Sequence, residues 1–165
     1  MRIAVTGRPG IGKTTLCMRV YESVKDKMTV GGFVTKELRR EGSRTGFKLF
    51  DLSSGREEWL ARVGEGRVRV GKYAVNVEGF EKFLDSVNTN ADLIIIDEVG
   101  PMELKSEKFT RFVEGLMDKE RLLFTIHFKS KHWLLEKIRR EFRVYVIDEV
   151  NRDRVTQEIT EIFEG

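Results

Sequence analysis

Two patterns of apolar and polar positions alternate along most of the chain. Short apolar runs predict buried strands, and apolar residues three or four positions apart predict helices with one buried face. The predicted strands cover residues 2–6, 93–96, 122–126 and 143–147, and the predicted helices cover residues 14–24, 78–87, 106–117, 133–140 and 152–163. Strands that alternate with helices form a mostly parallel sheet covered on both faces, so we expect a three-layer α/β fold.

Residues 30–77 interrupt this alternation. Strand-like segments at 30–38, 46–52, 59–63 and 73–77 follow one another without a helix between them, and Ser53-Ser54-Gly55 is typical of a turn. We therefore expect antiparallel strands added to the main sheet. They form a β-rich insertion at about 30–77 within a single domain of residues 1–165.

The composition is that of a globular protein. Hydrophobic residues make up 40% of the 165 residues, and no apolar run reaches the roughly 18 residues that a membrane-spanning helix needs. The chain enters its first strand without the long apolar segment of a signal peptide, and Cys17 is the only cysteine, so we expect a cytoplasmic protein with no membrane contact. The 35% of charged residues and the single glutamine favour a thermophilic source.

The positive charge of the chain is small. The 30 lysine and arginine residues exceed the 27 aspartate and glutamate residues by only three, whereas a nucleic-acid footprint needs clustered charge. The best candidate for such a footprint is RVRVGKY at residues 67–73. Nucleic acid is thus a weakly supported partner, and a mixed solvated surface is the favoured interpretation. The sequence leaves the oligomeric state open.

The stretch GRPGIGKT at residues 7–14 has the spacing of a phosphate-binding P-loop, and it lies between a predicted strand and a predicted helix. Its glycines allow backbone N–H groups to surround the phosphates at the positive helix N-terminus. Lys13 is predicted to contact the β- and γ-phosphates, and Thr14 to bind Mg²⁺. The other predicted nucleotide contacts here are Gly7, Arg8, Pro9, Gly10, Ile11, Gly12 and Thr15, the last either an α-phosphate contact or a simple helix cap.

Two acids end the apolar run LIIIDE. After a P-loop, a strand that ends in aspartate is the expected second half of a magnesium site, so Asp97 is predicted to hold the ion through its water shell. Glu98 then lies at the carboxyl end of the strand, where it can activate an attacking water, activate a substrate hydroxyl, or simply face solvent. Water activation is the favoured role. Val99 and Gly100 follow as predicted nucleotide neighbours.

Two further polar positions follow later strands. In P-loop folds that use a catalytic glutamate, the strand after the acidic one lies between it and the P-loop strand, so His127 is placed to sense the γ-phosphate; a structural histidine is the alternative. Asn151 and Arg152 follow the last strand, where a base or ribose would lie. A helix cap by Asn151 beside a solvated Arg152 is equally consistent with the sequence.

These motifs together resemble the THEP family of small P-loop nucleoside-triphosphatases, which is known from thermophilic archaea and bacteria and has a human member. The likeness covers almost the whole chain, through TGRPGIGKTTL, the segment GGFVTKELRREGSRTGFKLFDLSSG, VGKYAVNVEGFE, LIIIDEVGPMEL and the late NRD. The resemblance implies a RecA-like sheet and Mg²⁺-dependent hydrolysis of ATP, GTP, CTP and UTP to diphosphate and phosphate. It also implies that residues 7–14 bind the phosphates, that Asp97 binds the metal and that Glu98 activates the water.

Positive charge for the transition state could come from Arg39, Arg40, Arg44 or Lys105, although a solvated strand edge is the favoured interpretation of each. Arg44 is the preferred candidate, because Ser43-Arg44-Thr45-Gly46 is typical of a turn that could bend over the phosphates. Two other functions remain open. A nucleoside or nucleotide kinase would use Glu98 on a substrate hydroxyl, although the β-rich segment offers no helical acceptor site. A nucleic-acid-associated RecA-like ATPase would need a basic face that bears aromatic residues.

Overall fold

The computed structural model describes residues 1–165 and contains one nine-stranded sheet with five α-helices. The strands are β1 (Arg2–Thr6), β2 (Val30–Arg40), β3 (Ser43–Asp51), β4 (Glu57–Val63), β5 (Arg69–Val70), β6 (Tyr73–Val75), β7 (Leu93–Val99), β8 (Leu122–Ile126) and β9 (Arg143–Val146). The helices are α1 (Lys13–Val24), α2 (Val77–Asp85), α3 (Glu107–Leu116), α4 (Trp133–Glu141) and α5 (Arg152–Glu164). None of these helices is both long enough and apolar enough to cross a membrane.

Every predicted strand and helix is present, and the α/β prediction is confirmed. One strand, β5, was not predicted, because two residues are too few for a readable alternation. The acidic strand is longer than predicted and includes Asp97 and Glu98. The pairing of β7 with β8 is interrupted after Ile96 and resumes at Val99, which pairs with Ile126. The two acids therefore lie in an irregular stretch near the end of a strand rather than in a loop.

The strand order is β5-β6-β4-β3-β2-β7-β8-β1-β9. Strands β2, β7, β8, β1 and β9 are parallel to their neighbours within this group, and β3 to β6 pair antiparallel. As the sequence predicted, β8 lies between the acidic strand and the P-loop strand. The carboxyl ends of β1, β8, β7 and the middle of β2 therefore meet at one edge, which is where open α/β sheets bind ligands.

The hydrophobic core has two layers, one on each face of the sheet. Ile94 and Ile96 face the layer that contains Phe80 of α2, Phe109 of α3 and residues of α4, whereas Ile95 faces the layer that α1 and α5 cover. A central parallel strand is buried on both faces, which explains why the sequence of β7 is an unbroken apolar run and not an alternating one.

The antiparallel part of the sheet continues past the parallel strands, with α2 packed on one of its faces, and we call residues 35–75 the wing. Strand β2 joins it to the parallel part: Val30 to Phe33 pair with β7, while Phe33 to Arg40 pair with β3. The turn between β2 and β3 is at Glu41 and Gly42, whose φ angles are 52° and 80°. Arg44 lies in β3 and not in a turn, so that part of the sequence interpretation was wrong.

Candidate active site

The phosphate loop connects β1 to α1 as its motif predicts. Gly12 has a φ of 111°, which only glycine adopts without strain, and a Cβ on Gly7 would lie 2.8 Å from the carbonyl oxygen of Ile147. The loop is therefore free to fold tightly around the N-terminus of α1. The Nζ of Lys13 donates a hydrogen bond of 2.8 Å to the carbonyl oxygen of Gly7, so the ammonium group lies across the loop.

Threonine residues from three elements hold the carboxylate of Asp97. The hydroxyl of Thr14 donates to Oδ2 at 2.6 Å, and the hydroxyl of Thr125 donates to Oδ1 at 2.6 Å. From β2, the backbone N–H of Thr35 donates to Oδ2 at 3.3 Å, and its hydroxyl donates to the carbonyl oxygen of Asp97 at 2.6 Å. Burial raises the pKa of Asp97, and the hydrogen bonds from Thr125 and Thr14 oppose that shift.

The pair Thr14 and Asp97 fits a magnesium ion. Mg²⁺ takes oxygen ligands and keeps several waters, so it needs only one or two protein groups beside the phosphates. A hydroxyl and a carboxylate oxygen 2.6 Å apart at the N-terminus of α1 supply those groups. A cation there would also favour the ionised form of Asp97, which burial disfavours.

Glu98 lies beside the phosphate loop. Its Oε2 is 3.8 Å from Nζ of Lys13, and its side chain is 27% exposed. Burial raises the pKa of Glu98, while the positive charge of Lys13 opposes the shift. A carboxylate that is mostly enclosed, close to the lysine of the phosphate loop and still open to water can accept a proton from a water molecule.

A second carboxyl group adjoins Glu98, and we did not predict it as a site residue. Glu103 is 3% exposed and begins a short 3₁₀ turn, Glu103–Lys105. A Cβ on Gly100 would lie 2.8 Å from Oε1 of Glu98 and 3.2 Å from Oε1 of Glu103, so both carboxyl groups adjoin the same glycine. Burial raises the pKa of Glu103 well above its ordinary value, and the charge of Glu98 adds to that shift.

His127 lies at the end of β8 with its ring fixed. Its Nδ1 accepts hydrogen bonds from the backbone N–H groups of Lys129 at 3.2 Å and Ser130 at 3.1 Å, so a neutral ring carries its proton on Nε2. Burial, followed by the charge of Lys13, lowers the pKa of His127 and favours that neutral form. The histidine therefore offers one N–H donor near the phosphate loop.

The loop between β9 and α5 also reaches the phosphate loop. The guanidinium of Arg152 donates to the carbonyl oxygen of Ile11 at 2.9 Å, and Arg8 forms an ion pair with Glu149. The side chain of Asn151 does not cap α5. Its Oδ1 accepts from the N–H of Asp148 at 2.8 Å, and its Nδ2 donates to the carbonyl oxygen of Val146 at 3.0 Å. Asn151 thus occupies the N-cap position of α5, as one alternative predicted, but its side chain makes no capping hydrogen bond.

Thr15 opens onto a cleft of about 690 Å³ between α1 and α5, whose rim carries Arg19 and Asp153 as an ion pair of 3.1 Å. This cleft begins at the phosphate loop, so it can continue the binding site toward the nucleoside. Ile11, in contrast, is 2% exposed and packs in the core, so only its backbone can face a ligand. Pro9 and Gly10 are exposed at the tip of the loop.

Arg44 does not join this group. Its guanidinium lies 2.9 Å from a carboxylate oxygen of Glu37 and 5.5 Å from the centre of the Phe47 ring. The other basic–aromatic candidate also changes: Tyr73, the aromatic residue of the segment at 67–73, is 8% exposed and packs against Phe47 at 5.2 Å. A ring that is buried in this way cannot stack on a base, so this segment offers no accessible aromatic residue beside its basic ones.

Comparison with known proteins gives a consistent family. The family model described as NTPase matches residues 2–160. The chain is similar to the nucleoside-triphosphatase THEP1 of Archaeoglobus fulgidus, at 76% identity over 100% of both chains. It is also similar to the protein of that name from Methanosarcina barkeri, at 43% identity over 99% of this chain and 97% of the relative.

Two solved structures share the fold over nearly their full lengths. The crystal structure of THEP1 from the hyperthermophile Aquifex aeolicus has a TM-score of 0.86 at 33% identity and covers 100% of both chains. The solution structure of a human cancer-related nucleoside triphosphatase has a TM-score of 0.77 at 29% identity, covering 98% of this chain and 96% of the other. The resemblance inferred from the motifs is confirmed.

Proposed function

Because the chain belongs to the NTPase family of nucleoside-triphosphatases, together with the THEP1 proteins, we propose that it hydrolyses nucleoside triphosphates to diphosphate and phosphate with Mg²⁺, and that Glu98 activates the water. The observation that carries this proposal is the convergence of the phosphate loop and the acidic strand. Thr14 is bonded to Asp97 at 2.6 Å, and Nζ of Lys13 lies 3.8 Å from Oε2 of Glu98. One phosphate group can therefore meet a cation, a metal site and a base together.

In the chemical step, ionised Glu98 accepts a proton from a water molecule, and the water oxygen attacks the γ-phosphorus. The bond between that phosphorus and the bridging oxygen breaks, and the diphosphate keeps the electron pair. Lys13 and the backbone N–H groups of the phosphate loop bind the phosphate oxygens and offset the charge that they carry. A bound Mg²⁺, held by Thr14 and the waters around Asp97, would supply additional neutralisation of the β- and γ-phosphates.

His127 and Arg152 have supporting roles in this proposal. The Nε2–H of His127 donates to the γ-phosphate and so distinguishes triphosphate from diphosphate; the fixed Nδ1 contacts favour that orientation. Arg152 holds the phosphate loop through Ile11 and adds positive charge where the loop meets α5. Arg44 remains a proposal for charge supply only if the Glu37 contact opens.

We propose that the base lies in the cleft between α1 and α5 and that this cleft tolerates different bases. Strict base selection needs polar groups committed to the base edge. Here the hydroxyl of Thr156 donates to the carbonyl oxygen of Arg152 at 2.7 Å, and the hydroxyl of Thr160 donates to that of Thr156 at 2.8 Å. Both donors are occupied within α5, Arg19 pairs with Asp153, and the amide of Gln157 donates to Glu161. These commitments support the proposal that ATP, GTP, CTP and UTP are all substrates.

The test is phosphate release by the purified protein with each of the four triphosphates, with and without Mg²⁺. We expect release that requires Mg²⁺ and differs little between bases. Glu98→Gln should bind the nucleotide normally and lower turnover at least about 10²-fold, which is the usual contribution of a general base. Glu114→Gln, the same change at an exposed position of α3, serves as the control.

Three results would contradict parts of this proposal. Near-normal turnover by Glu98→Gln would remove Glu98 from the mechanism, and an unaffected Lys13→Ala would discredit the phosphate-loop assignment. Transfer of the γ-phosphate to an added nucleoside or nucleotide, in place of its release, would identify a kinase.

A further inference from the structure

Positive charge is concentrated in the wing. Residues 36–72 contain ten lysine and arginine residues against six aspartate and glutamate residues, whereas the whole chain has 30 against 27. The rest of the chain therefore has slightly more acidic than basic residues. The small total charge conceals an uneven distribution, and clustered charge is the feature that a polyanion recognises.

The two faces of the wing differ in whether their basic residues form ion pairs. On the face that continues the α2 layer, Arg39 and Arg44 both form ion pairs with Glu37. On the opposite face, Lys36 and Lys48 are direct cross-strand neighbours, and Arg62 lies opposite Gly46. None of these three takes part in an ion pair. We call Lys36, Lys48, Trp59 and Arg62 the cationic face.

Aromatic rings lie between these cations. Trp59 lies opposite Lys48 and packs on the backbone of Gly46, where a Cβ would come within 3.0 Å of the ring. The ammonium of Lys48 is 4.9 Å and the guanidinium of Arg62 is 4.2 Å from the centre of this ring. Next along the sheet, the ammonium of Lys36 is 4.4 Å from the centre of the Phe50 ring. The rings and the unpaired cations thus form one continuous strip.

We propose that the cationic face binds single-stranded nucleic acid. Such strands are held by cations that follow the phosphates and by aromatic rings on which the bases stack without regard to sequence. Lys36, Lys48 and Arg62 supply the cations and Trp59 supplies the stacking ring. One acid, Glu57, lies opposite Phe50 at the inner end of the strip and marks its limit on β4.

The strip also adjoins the active site. Lys36 follows Thr35, whose carbonyl oxygen lies 3.3 Å from the hydroxyl oxygen of Thr14 and whose N–H donates to Asp97. A nucleic-acid strand bound along the cationic face would therefore end beside Thr14 and Asp97, the proposed metal site. This inference concerns binding and does not depend on which residue activates water.

The test is fluorescence anisotropy with labelled 30-residue oligonucleotides of deoxythymidine and of uridine, in 50 mM and 200 mM salt, without nucleotide. We expect both to bind, with an affinity that falls steeply with salt. Lys36→Glu combined with Lys48→Glu should weaken binding at least about tenfold and flatten the salt dependence, because each lost phosphate contact lowers the slope by about one. Trp59→Leu should weaken binding about five- to a hundredfold through lost stacking.

The control is Lys82→Glu, the same charge change at a residue of α2 that is 77% exposed and lies on the other side of the sheet. Circular dichroism of each variant establishes that the fold is kept. Failure of the wild-type protein to bind either oligonucleotide would overturn the proposal. So would equal binding by the Lys36 and Lys48 double variant and by Lys82→Glu, or equal affinity for a blunt duplex, whose bases cannot stack on Trp59. Binding only to vesicles that contain phosphatidylserine would identify a membrane surface instead.

Discussion

The hydroxyl of Thr125 donates a hydrogen bond of 2.6 Å to Oδ1 of Asp97, so β8 fixes the carboxylate at the end of β7. Both groups are buried: Thr125 is 0% and Asp97 is 2% exposed. Because β8 lies between β7 and β1, this bond ties the acidic strand to the direct neighbour of the strand that carries the phosphate loop. The other oxygen of Asp97 accepts from Thr14, which is the proposed metal ligand, and from the backbone N–H of Thr35.

Thr125→Val keeps the shape of the side chain and removes this bond. We expect a loss of stability of about 1–3 kcal/mol, since a buried acceptor loses its partner. We also expect a several-fold rise in the Mg²⁺ concentration needed for half-maximal turnover, because Asp97 is less well oriented and its pKa rises further. Thr160→Val, which also removes a buried hydroxyl but lies in α5, should destabilise the protein without changing the Mg²⁺ requirement. An unchanged Mg²⁺ requirement in Thr125→Val would separate Thr125 from the metal site.

Gly100→Ala is predicted to displace Glu98. The new Cβ would lie 2.8 Å from the Oε1 of Glu98, which is too close, and Glu103 blocks the other side at 3.2 Å. A catalytic group moved by about 1 Å can lose about 10²-fold in rate, so turnover should fall by at least tenfold while nucleotide affinity is retained. Gly115→Ala in α3, where a Cβ meets no atom within 4 Å, is the matched control. Steady-state kinetics and nucleotide titration distinguish the two effects; normal turnover in Gly100→Ala would contradict the placement of Glu98.

The parts of the site that the sequence predicted are those in which neighbours in sequence are also neighbours in space. The phosphate loop is one continuous motif, and its glycines have a direct backbone reason. Asp97 and Glu98 could be recognised because acids interrupt an apolar strand. The position of β8 between β7 and β1 was expected from P-loop folds that use a catalytic glutamate, and the strand order confirms it.

The parts that could not be predicted depend on side chains that meet across the fold. Thr35 holds Asp97 only because β2 pairs with β7, and no motif marks this threonine. Glu103 is polar and follows Gly100-Pro101, so by residue type it resembles an exposed turn residue, yet it is buried beside Glu98. Arg44 was misplaced for a different reason. Between β2 and β3, the residues with positive φ angles are Glu41 and Gly42. The turn therefore begins two positions earlier than the one expected from Ser43-Arg44-Thr45-Gly46.

His127→Asn should distinguish the roles of the two ring nitrogen atoms. The asparagine oxygen can replace Nδ1 as the acceptor for the N–H groups of Lys129 and Ser130, but nothing replaces the Nε2–H donor. We expect a normal fold, normal binding of diphosphate and a turnover about 10- to 100-fold lower, because one preorganised donor to the phosphate is lost. His132→Asn is the control: its Nδ1 accepts from the N–H of Leu134 at 3.1 Å at the start of α4, away from the phosphate loop. Equal turnover in the two variants would exclude His127 from phosphate recognition.

Glu103→Gln is predicted to stabilise the protein increasingly as the pH rises. Burial, reinforced by the charge of Glu98, raises the pKa of Glu103 well above its ordinary value in the folded state. Below the ordinary glutamate pKa of about 4.3, Glu103 is protonated in both states and costs nothing. As the pH rises above that value, the unfolded chain releases the proton while the folded protein retains it, so folding becomes less favourable until the raised pKa is passed. Glutamine imitates the neutral carboxyl group and cannot ionise.

The thermal midpoint of Glu103→Gln should therefore exceed that of the wild-type protein by a margin that grows from pH 4 upward. Turnover should change little near neutral pH if Glu103 serves Glu98 as a neutral neighbour, because the amide has nearly the same shape. Thermal unfolding followed by circular dichroism at several pH values measures the margin, and phosphate release measures turnover. A margin that is constant or shrinks with pH would show that Glu103 is not held in its protonated form by the fold.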